Sequence, residues 1–187
     1  AMGRRVGEVV AGRLGRTILE LGGNNAIIAT KNADIDMLIR TVLFGAVGTA
    51  GQRCTTTRRL IVHKSIADNV MSRLIDAYKQ VTIGNPCDGK HLMGPLIDRE
   101  AVENMMKALE EIKAQGGEVV YGGKVLEGEE YASGCYVQPT IVRARPDLPK
   151  MKEETFAPIL YVIEYEDLDE AISIHNSVDQ GLSSAIF

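Results

Sequence analysis

Apolar residues along this chain alternate between two spacings, and that alternation limits the folds the chain can adopt. Residues 26–29 form a short, continuously apolar run, whereas residues 35–46 carry apolar side chains at the spacing of one helix face. Alternation of strand-like and helix-like segments predicts an α/β fold. With 187 residues, 45% of them hydrophobic, the chain is long enough for one domain with a substantial core.

Several predicted elements have recognisable ends. Helices are predicted at residues 4–14, 35–46, 98–115, from Ser65 onward and after Asp167. Strands are predicted at residues 26–29, 60–63, 81–83, 118–121, 136–142, 159–165 and 183–187. Ser65 with Asp68, and Asp167 with Glu170, have the spacing of a capping box, in which side chains accept from free N–H groups of the first helical turn.

Charge and hydropathy exclude several classes of function. The net charge of −4 argues against a general affinity for nucleic acid. No apolar run approaches the roughly 20 residues of a membrane helix, and the first residues, AMGRRVGEVV, lack the apolar centre of a signal peptide. The predicted location is cytoplasmic, with an organelle matrix as the alternative.

The cysteine pattern predicts free thiols. Cys54, Cys87 and Cys135 are odd in number, widely separated, and show neither CxxC nor Cys/His spacing. We therefore expect no disulfide framework and no metal site. A reducing compartment, which follows from this, keeps a reactive thiol usable.

Both ends of the chain look cut. It begins within a predicted helix and ends within the apolar run SSAIF, with no later segment to cover that strand. A complete domain rarely leaves its last apolar strand uncovered. The sequence therefore reads as an excerpt from a larger protein.

The loop GTAGQRCTTTRRL, residues 48–60, places Cys54 among glycine, basic and hydroxyl residues. A thiolate is stabilised by cations and oriented N–H groups in a partly exposed loop, so Cys54 with the adjacent Arg53 is a candidate nucleophile. The alternative, an inert small hydrophobic residue, fits Cys87 and Cys135 better because neither has basic neighbours of this density.

Glu20, in ILELGGNN, is the candidate general base. An acyl-cysteine intermediate needs a group that activates water for its release, and a carboxylate is chemically suitable. The apolar neighbours of Glu20 predict partial desolvation of its carboxylate. The alternative is a glutamate at a strand end that faces water.

Three motifs together resemble one family. Glu20-Leu21-Gly22-Gly23 is followed thirty-four positions after Glu20 by Cys54 in GQRC, and later by ETFAP at residues 154–158. Their order and spacing resemble the aldehyde dehydrogenase superfamily, and in detail its antiquitin-like branch. The resemblance implies an open twisted sheet with helices on both faces. It also implies that residues 1–15 are the last helix of a cofactor-binding domain and residues 16–187 a catalytic domain truncated at its C-terminus.

The resemblance also implies roles for single residues. Cys54 would attack an aldehyde to give a thiohemiacetal and then a thioester, its own N–H helping to hold the oxyanion, and Glu20 would activate the hydrolytic water. Glu154 and Gly22 would contact the cofactor, Glu154 through the ribose hydroxyls, and Phe156 would hold the nicotinamide ring. The implied cofactor is NAD, with NADP left open.

The sequence departs from the family pattern in its cofactor-binding part. It contains no GxGxxG and no GxxxxGK[ST], and the spaced glycines 45, 48 and 51 fit a helix end and a turn. We therefore expect the main cofactor-binding domain to lie outside this chain, and the chain alone to be unable to oxidise aldehydes. Ala157 replaces a glycine common in the superfamily, a feature that the antiquitin-like branch shares.

The expected partners are a small-molecule aldehyde and further copies of the complete protein, as a dimer or tetramer. Arg53 is a candidate substrate contact, because it could pair with the distant carboxylate of an amino-acid semialdehyde. It could also act on Cys54 or bridge to a neighbouring acid.

Two other classes of function are considered. A cysteine hydrolase would pair Cys54 with a histidine, for which His63, His91 and His175 are the options. A non-catalytic assembly module would need no reactive thiol, and Cys54 would then react no faster than the other cysteines.

Overall fold

A computed structural model describes residues 2–187, which form one six-stranded sheet flanked by helices. The strands are β1 (Asn25–Ala29), β2 (Thr57–His63), β3 (Glu118–Tyr121), β4 (Thr140–Arg143), β5 (Ile159–Tyr165) and β6 (Ser184–Ile186). Their order across the sheet is β3-β4-β5-β2-β1-β6, and all neighbours are parallel except β3 and β4. The predicted α/β class is confirmed.

Residues 2–187 contain five α-helices: α1 (Met2–Gly12), α2 (Ile35–Val47), α3 (Lys64–Lys79), α4 (Arg99–Ala114) and α5 (Leu168–His175). Helices α2 to α5 pack on the sheet, whereas α1 is mostly exposed. The connection from β1 to β2 and the connection from β5 to β6 cross the sheet in opposite directions. Because parallel crossovers are right-handed, α2 and α5 lie on opposite faces. The expected arrangement of helices on both faces therefore holds.

The starts of α4 and α5 match the sequence prediction, whereas α1 runs from Met2 to Gly12 and not over the predicted residues 4–14. Asp98 accepts from the N–H of Ala101 at the start of α4, and Asp167 accepts from the N–H of Glu170 at the start of α5. The predicted Ser65 cap is wrong. His63 caps α3 instead, because its Nδ1 accepts from the N–H of Ser65 and the helix begins one residue earlier, at Lys64.

Two predicted strands are shorter than expected. Residues 81–83 contribute only a bridge between Ile83 and Met93, because the turn-forming residues that follow leave no length for a ladder. The prediction at residues 136–142 is right only from Thr140 onward. Pro139 has no N–H to donate, so Val137 forms one bridge with Val125 before the strand begins.

The three central strands are buried along nearly their whole length. β1 is buried at every residue, β2 at all but its last, and β5 at all but one. Such runs are typical of parallel strands covered on both faces. The edge strand β6 is exposed at all three residues.

The polar ends of these strands form the site described below. None of the helices within residues 2–187 is long and apolar enough to cross a membrane.

Candidate active site

Three segments that carry the predicted site residues meet at one edge of the sheet. The Gly22-Gly23 pair precedes β1, Cys54 precedes β2, and Glu154 with Phe156 precedes β5. Since β5, β2 and β1 are parallel neighbours, their amino ends lie side by side. The candidate site is therefore at the amino edge of the sheet, whereas open α/β sheets usually bind ligands at the carboxyl edge.

The loop before Cys54 has an unusual backbone. Thr49, Ala50 and Gly51 are all left-handed, with φ of 56°, 52° and 70°. This conformation costs a residue with a side chain on the order of 1 kcal/mol. The consecutive residues Thr49 and Ala50 therefore store backbone strain in this loop. A side chain at Gly51 would overlap the backbone of Ala157 and Pro158, so the loop packs directly on the turn before β5.

Gln52 holds this loop in place. Its Nε2 donates to the carbonyl oxygens of Thr49 and Pro95 at 3.1 and 3.3 Å, and its Oε1 accepts from the N–H of Ile97 at 2.8 Å. One amide side chain thus ties the strained turn to a segment more than forty residues away. Sequence reasoning gave Gln52 no role of its own.

Asn25 supports Cys54 from the other side. Its Nδ2 donates to the carbonyl oxygens of Cys54 and Thr56, both at 2.8 Å, and its Oδ1 accepts from the N–H of Ser183 at 3.0 Å. No group among residues 2–187 accepts from the N–H of Cys54, which therefore remains available as a donor. Asn25 was also missed, although its place directly after the LGG motif was a usable signal.

The exposure of the thiols differs from expectation in one case. Cys54 and Cys135 are partly buried, whereas Cys87 is exposed on a short 3₁₀ turn. The prediction that Cys87 fits a packed hydrophobic position is therefore wrong. Local residue types around Cys87 could not reveal this, because exposure depends on how the turn packs.

Glu20 is exposed in this chain. The predicted desolvation is wrong, because the apolar neighbours of Glu20 do not enclose it. Residues 15–24 form neither helix nor strand, and Leu21 instead packs beside Gly3 of α1. No group among residues 2–187 is hydrogen-bonded to the Glu20 carboxylate, which leaves it free to contact water.

Glu154 is the acidic group at the centre of the amino edge. Its Oε1 accepts from the N–H of Gly23 at 3.1 Å and from Nη2 of Arg58 at 3.2 Å. Its Oε2 lies where a Cβ on Gly22 would be, so a side chain at that position would displace the carboxylate or the turn. No described residue donates a hydrogen bond to Oε2, so this oxygen keeps an unused acceptor.

Phe156 lies beside Glu154 and remains 48% exposed. A cavity of about 390 Å³ is lined by Glu154, Phe156 and Ala157 on one side and by Asn104 and Lys107 of α4 on the other. An unpartnered carboxylate oxygen next to an exposed aromatic ring suits the sugar hydroxyls and flat ring of a nicotinamide nucleoside. The residues present therefore fit the nicotinamide half of the dinucleotide.

Arg53 lies on α2. Its Nη2 donates to the carbonyl of Phe44 at 2.9 Å, and its guanidinium carbon is 5.0 Å from the centre of the Phe44 ring. Both residues line a groove of about 340 Å³ whose other walls are mostly apolar. Nε of Arg53 is buried without a hydrogen-bond partner among the described residues.

None of the three histidines is hydrogen-bonded to Cys54 within residues 2–187. His63 lies at the far end of β2, and a strand of seven residues spans about 20 Å. His91 pairs with Asp88 in a loop, and His175 ends α5. The geometry therefore gives no Cys–His pair of the kind a cysteine hydrolase needs.

Arg59 organises the opposite face of the same edge. It is 1% exposed and donates only to main-chain oxygens, those of Asn24, Ile174 and His175. Burial lowers the pKa of Arg59 to about 10. Burial also lowers the pKa of His175, and the neighbouring Arg59 cation acts in the same direction.

These features define a protein of one class: the chain belongs to the aldehyde dehydrogenase family, whose sequence profile matches residues 1–187. It is 53% identical over 186 residues to aldehyde dehydrogenase family 7 member A1 of Pisum sativum, and 52% identical over 187 residues to α-aminoadipic semialdehyde dehydrogenase of Mus musculus. All of the chain is matched in both cases. It spans 36% of the pea protein and 34% of the mouse protein.

Solved structures agree with this assignment. Betaine aldehyde dehydrogenase of Staphylococcus aureus, solved with NAD+, superposes with a TM-score of 0.94 at 30% identity, covering 100% of this chain and 37% of that one. PnpE, solved with nicotinamide adenine dinucleotide, gives 0.95 at 34% identity, covering 100% of this chain and 38% of that one. The predicted family and fold class are thereby confirmed.

Proposed function

We propose that the full-length protein oxidises an aldehyde to a carboxylate, and that this chain carries the reacting cysteine. The observation that carries the proposal is the meeting of three segments at one sheet edge. Asn25 holds the carbonyl of Cys54, and Gly23 in the same segment holds Glu154. NAD is the proposed hydride acceptor, in keeping with the two solved relatives that contain it, and NADP is the alternative.

The reaction divides among residues of this chain. The thiolate of Cys54 adds to the carbonyl carbon, and the free N–H of Cys54 donates to the oxyanion of the resulting thiohemiacetal. A dinucleotide held by these residues would supply the hydride acceptor, and loss of the hydride from the thiohemiacetal would leave a thioester on Cys54. Glu20 removes a proton from the water that attacks this thioester, and the carboxylate product leaves as the thiol is restored.

Glu154, Gly22 and Phe156 act as binding residues. Oε2 of Glu154 accepts from the ribose hydroxyls, because Oε1 already has two donors within the chain. Gly22 has no Cβ and so leaves room for that oxygen. The exposed ring of Phe156 packs against the nicotinamide.

Variants of the full-length protein test this assignment. Cys54→Ser lowers aldehyde-dependent NADH formation at least about 10³-fold, whereas the exposed Cys87→Ser leaves it unchanged. Glu20→Gln retains a rapid burst of NADH but slows steady-state turnover, since thioester hydrolysis becomes limiting. If Cys54→Ser retains activity, the nucleophile assignment fails.

The same variants separate the other candidate functions. Ester cleavage that survives Glu20→Gln but is lost in a single histidine variant would support a cysteine hydrolase. An assembly module predicts that Cys54 is alkylated no faster than Cys135, which is also partly buried. Peptide mass spectrometry on the Cys87→Ser background measures both rates without interference from the exposed thiol.

Arg53 makes a carboxylated aldehyde, such as an amino-acid semialdehyde, the proposed substrate class. Its guanidinium lies in a mostly apolar groove beside the nucleophile loop, where a distant carboxylate can pair with it. Arg53→Ala therefore raises KM for a carboxylated aldehyde more than for an uncharged one of equal length. Arg40→Ala, at an exposed position of the same groove, is the control, and equal losses on both aldehydes would exclude a carboxylate contact at Arg53.

We further infer that residues 1–15 belong to a cofactor-binding domain and residues 16–187 to the catalytic domain of a homo-oligomeric protein. This chain alone then forms no NADH from aldehydes. NADH production by the purified 187-residue chain, free of host enzymes, would refute that inference. Light scattering on the full-length protein measures the number of subunits.

A further inference from the structure

Arg58 is a buried cation that no sequence motif assigns to the site. Its side chain is 2% exposed, although it belongs to the residue class that is usually found at the surface. Nη1 donates to the carbonyl of Thr155, and Nη2 donates to Glu154 Oε1 at 3.2 Å and to the carbonyl of Arg53 at 3.4 Å. Its guanidinium carbon is 5.5 Å from the centre of the Phe156 ring.

These contacts join two loops that carry the candidate chemistry. Arg53 precedes Cys54 in the nucleophile loop, while residues 154–156 form the turn that faces the cofactor cavity. The two loops are about a hundred residues apart in sequence, as the separation of 96 between Arg58 and Glu154 shows. The planar guanidinium reaches both loops at once, whereas the ammonium group of a lysine lacks the fork geometry needed for all three acceptors.

Removing a guanidinium from water is costly, and here burial lowers the pKa of Arg58 although Glu154 opposes the shift. The hydrogen bonds of Arg58 indicate what its burial provides. Oε1 of Glu154 has two donors and is fully used, so the carboxylate is held in one orientation, in which its other oxygen lies against Gly22. Without Arg58, the carboxylate could rotate and offer either oxygen.

We propose that Arg58 is a positioning residue that fixes Glu154 and Phe156 for dinucleotide binding and links them to the loop of Cys54. The inference rests on the proposed cofactor role of Glu154. It adds that the affinity for the dinucleotide depends on a residue that does not itself touch the ligand. Arg58 therefore acts through Glu154 and the turn that carries it.

Arg58→Lys in the full-length protein is the first test, with the dissociation constant for NADH measured by nucleotide fluorescence. We expect binding to weaken about tenfold, the effect of losing one charge-assisted hydrogen bond. Arg59→Lys is the matched control, because Arg59 is equally buried but contacts none of the proposed cofactor residues. It should leave the NADH affinity within twofold of wild type. Equal affinities in wild type and Arg58→Lys would overturn the inference.

A double-mutant cycle separates positioning from a general structural role. If Arg58 acts through Glu154, Arg58→Lys causes little further loss of NADH affinity in a Glu154→Ala background. Additive losses would contradict the proposal even if each single variant weakens binding. Steady-state kinetics give a second readout, in which Arg58→Lys raises KM for NAD more than it lowers kcat.

Failure of the inference is distinguishable from failure of the proposed function. A wild-type protein that oxidises aldehydes, with an Arg58→Lys variant that binds NADH normally, refutes the inference alone. A wild-type protein that binds NADH but oxidises no aldehyde refutes the proposed activity, and the cycle still tests Arg58. Absence of NADH binding by the wild type refutes both.

Discussion

The neighbouring strands β2 and β5 carry an ion pair at each of their two ends, with the cation on the β2 side in both cases. At the amino edge, Arg58 and Glu154 are 2% and 21% exposed, whereas at the carboxyl edge Lys64 and Glu166 are 52% and 69% exposed. The ion pair at the amino edge is thus largely buried, and its cation also donates to main-chain carbonyls. The ion pair at the carboxyl edge is solvated. The difference teaches that surroundings, and not the pairing itself, decide what an ion pair contributes.

The largest expected effect is the loss of Arg58 from the buried pair. Arg58→Met leaves Glu154 and two carbonyl groups without their donor, and it should lower the free energy of unfolding by about 3 kcal/mol. Urea denaturation of the chain measures the change. Adding Glu154→Leu to this variant should recover part of the loss, because an isolated buried carboxylate is then no longer present. A loss within 0.5 kcal/mol, the range of ordinary surface changes, would mean that the two ends do not differ.

A smaller effect is expected from crowding the amino edge without removing a charge. The Cβ added in Gly22→Ala overlaps Oε2 of Glu154, so the carboxylate or the turn must move, at a cost of about 2 kcal/mol. NADH binding by the full-length variant should weaken as well. Gly12→Ala is the control, since a Cβ there meets no atom within 4 Å. Equal stability in the two variants would show that the turn adapts freely.

The pH dependence of stability tests the other face of the amino edge, where Arg59 and His175 lie. Because burial and Arg59 lower the pKa of His175, the folded chain binds fewer protons than the unfolded chain in the acid range. The contribution of His175 is fully present above the unfolded pKa of about 6.5 and is lost as the pH falls below that value and through the lower pKa of the folded state. His175→Gln should therefore flatten the decline of unfolding free energy between neutral and mildly acid pH. An unchanged slope in His175→Gln would contradict this assignment.

The smallest effect is expected at the carboxyl edge. Lys64→Ala removes the exposed partner of Glu166 and should change the unfolding free energy by no more than about 0.5 kcal/mol. That small contribution should also disappear in 1 M salt, whereas the loss in Arg58→Met should persist, since buried pairs are screened much less. A salt-independent loss above 1 kcal/mol in Lys64→Ala would erase the contrast between the two ends.

Elements whose signals are local were predictable from the sequence. The bounds of β5 match the prediction at residues 159–165, and Asp98 starts α4 as its spacing indicated. Cys54 and Glu20 were proposed from the residue types around them, whereas Glu154, Gly22 and Phe156 were proposed only from the family resemblance; the roles of all five stay predictions. Errors arose where a nearby side chain competed for the same role, as His63 did with Ser65 at the start of α3.

The amino-acid sequence by itself determined the α/β class, most helix and strand positions and the residue types available for chemistry, since periodicity and capping act over a few residues. Only the tertiary structure decided that β5, β2 and β1 are neighbours, so that Glu154, Cys54 and Gly22 share an edge. The tertiary structure also gave Arg58 and Arg59 different contacts, although they are adjacent residues of the same type. Successive residues of a strand point to opposite faces, and the elements packed there differ. Strand order and packing depend on contacts between distant segments, which local pattern does not contain.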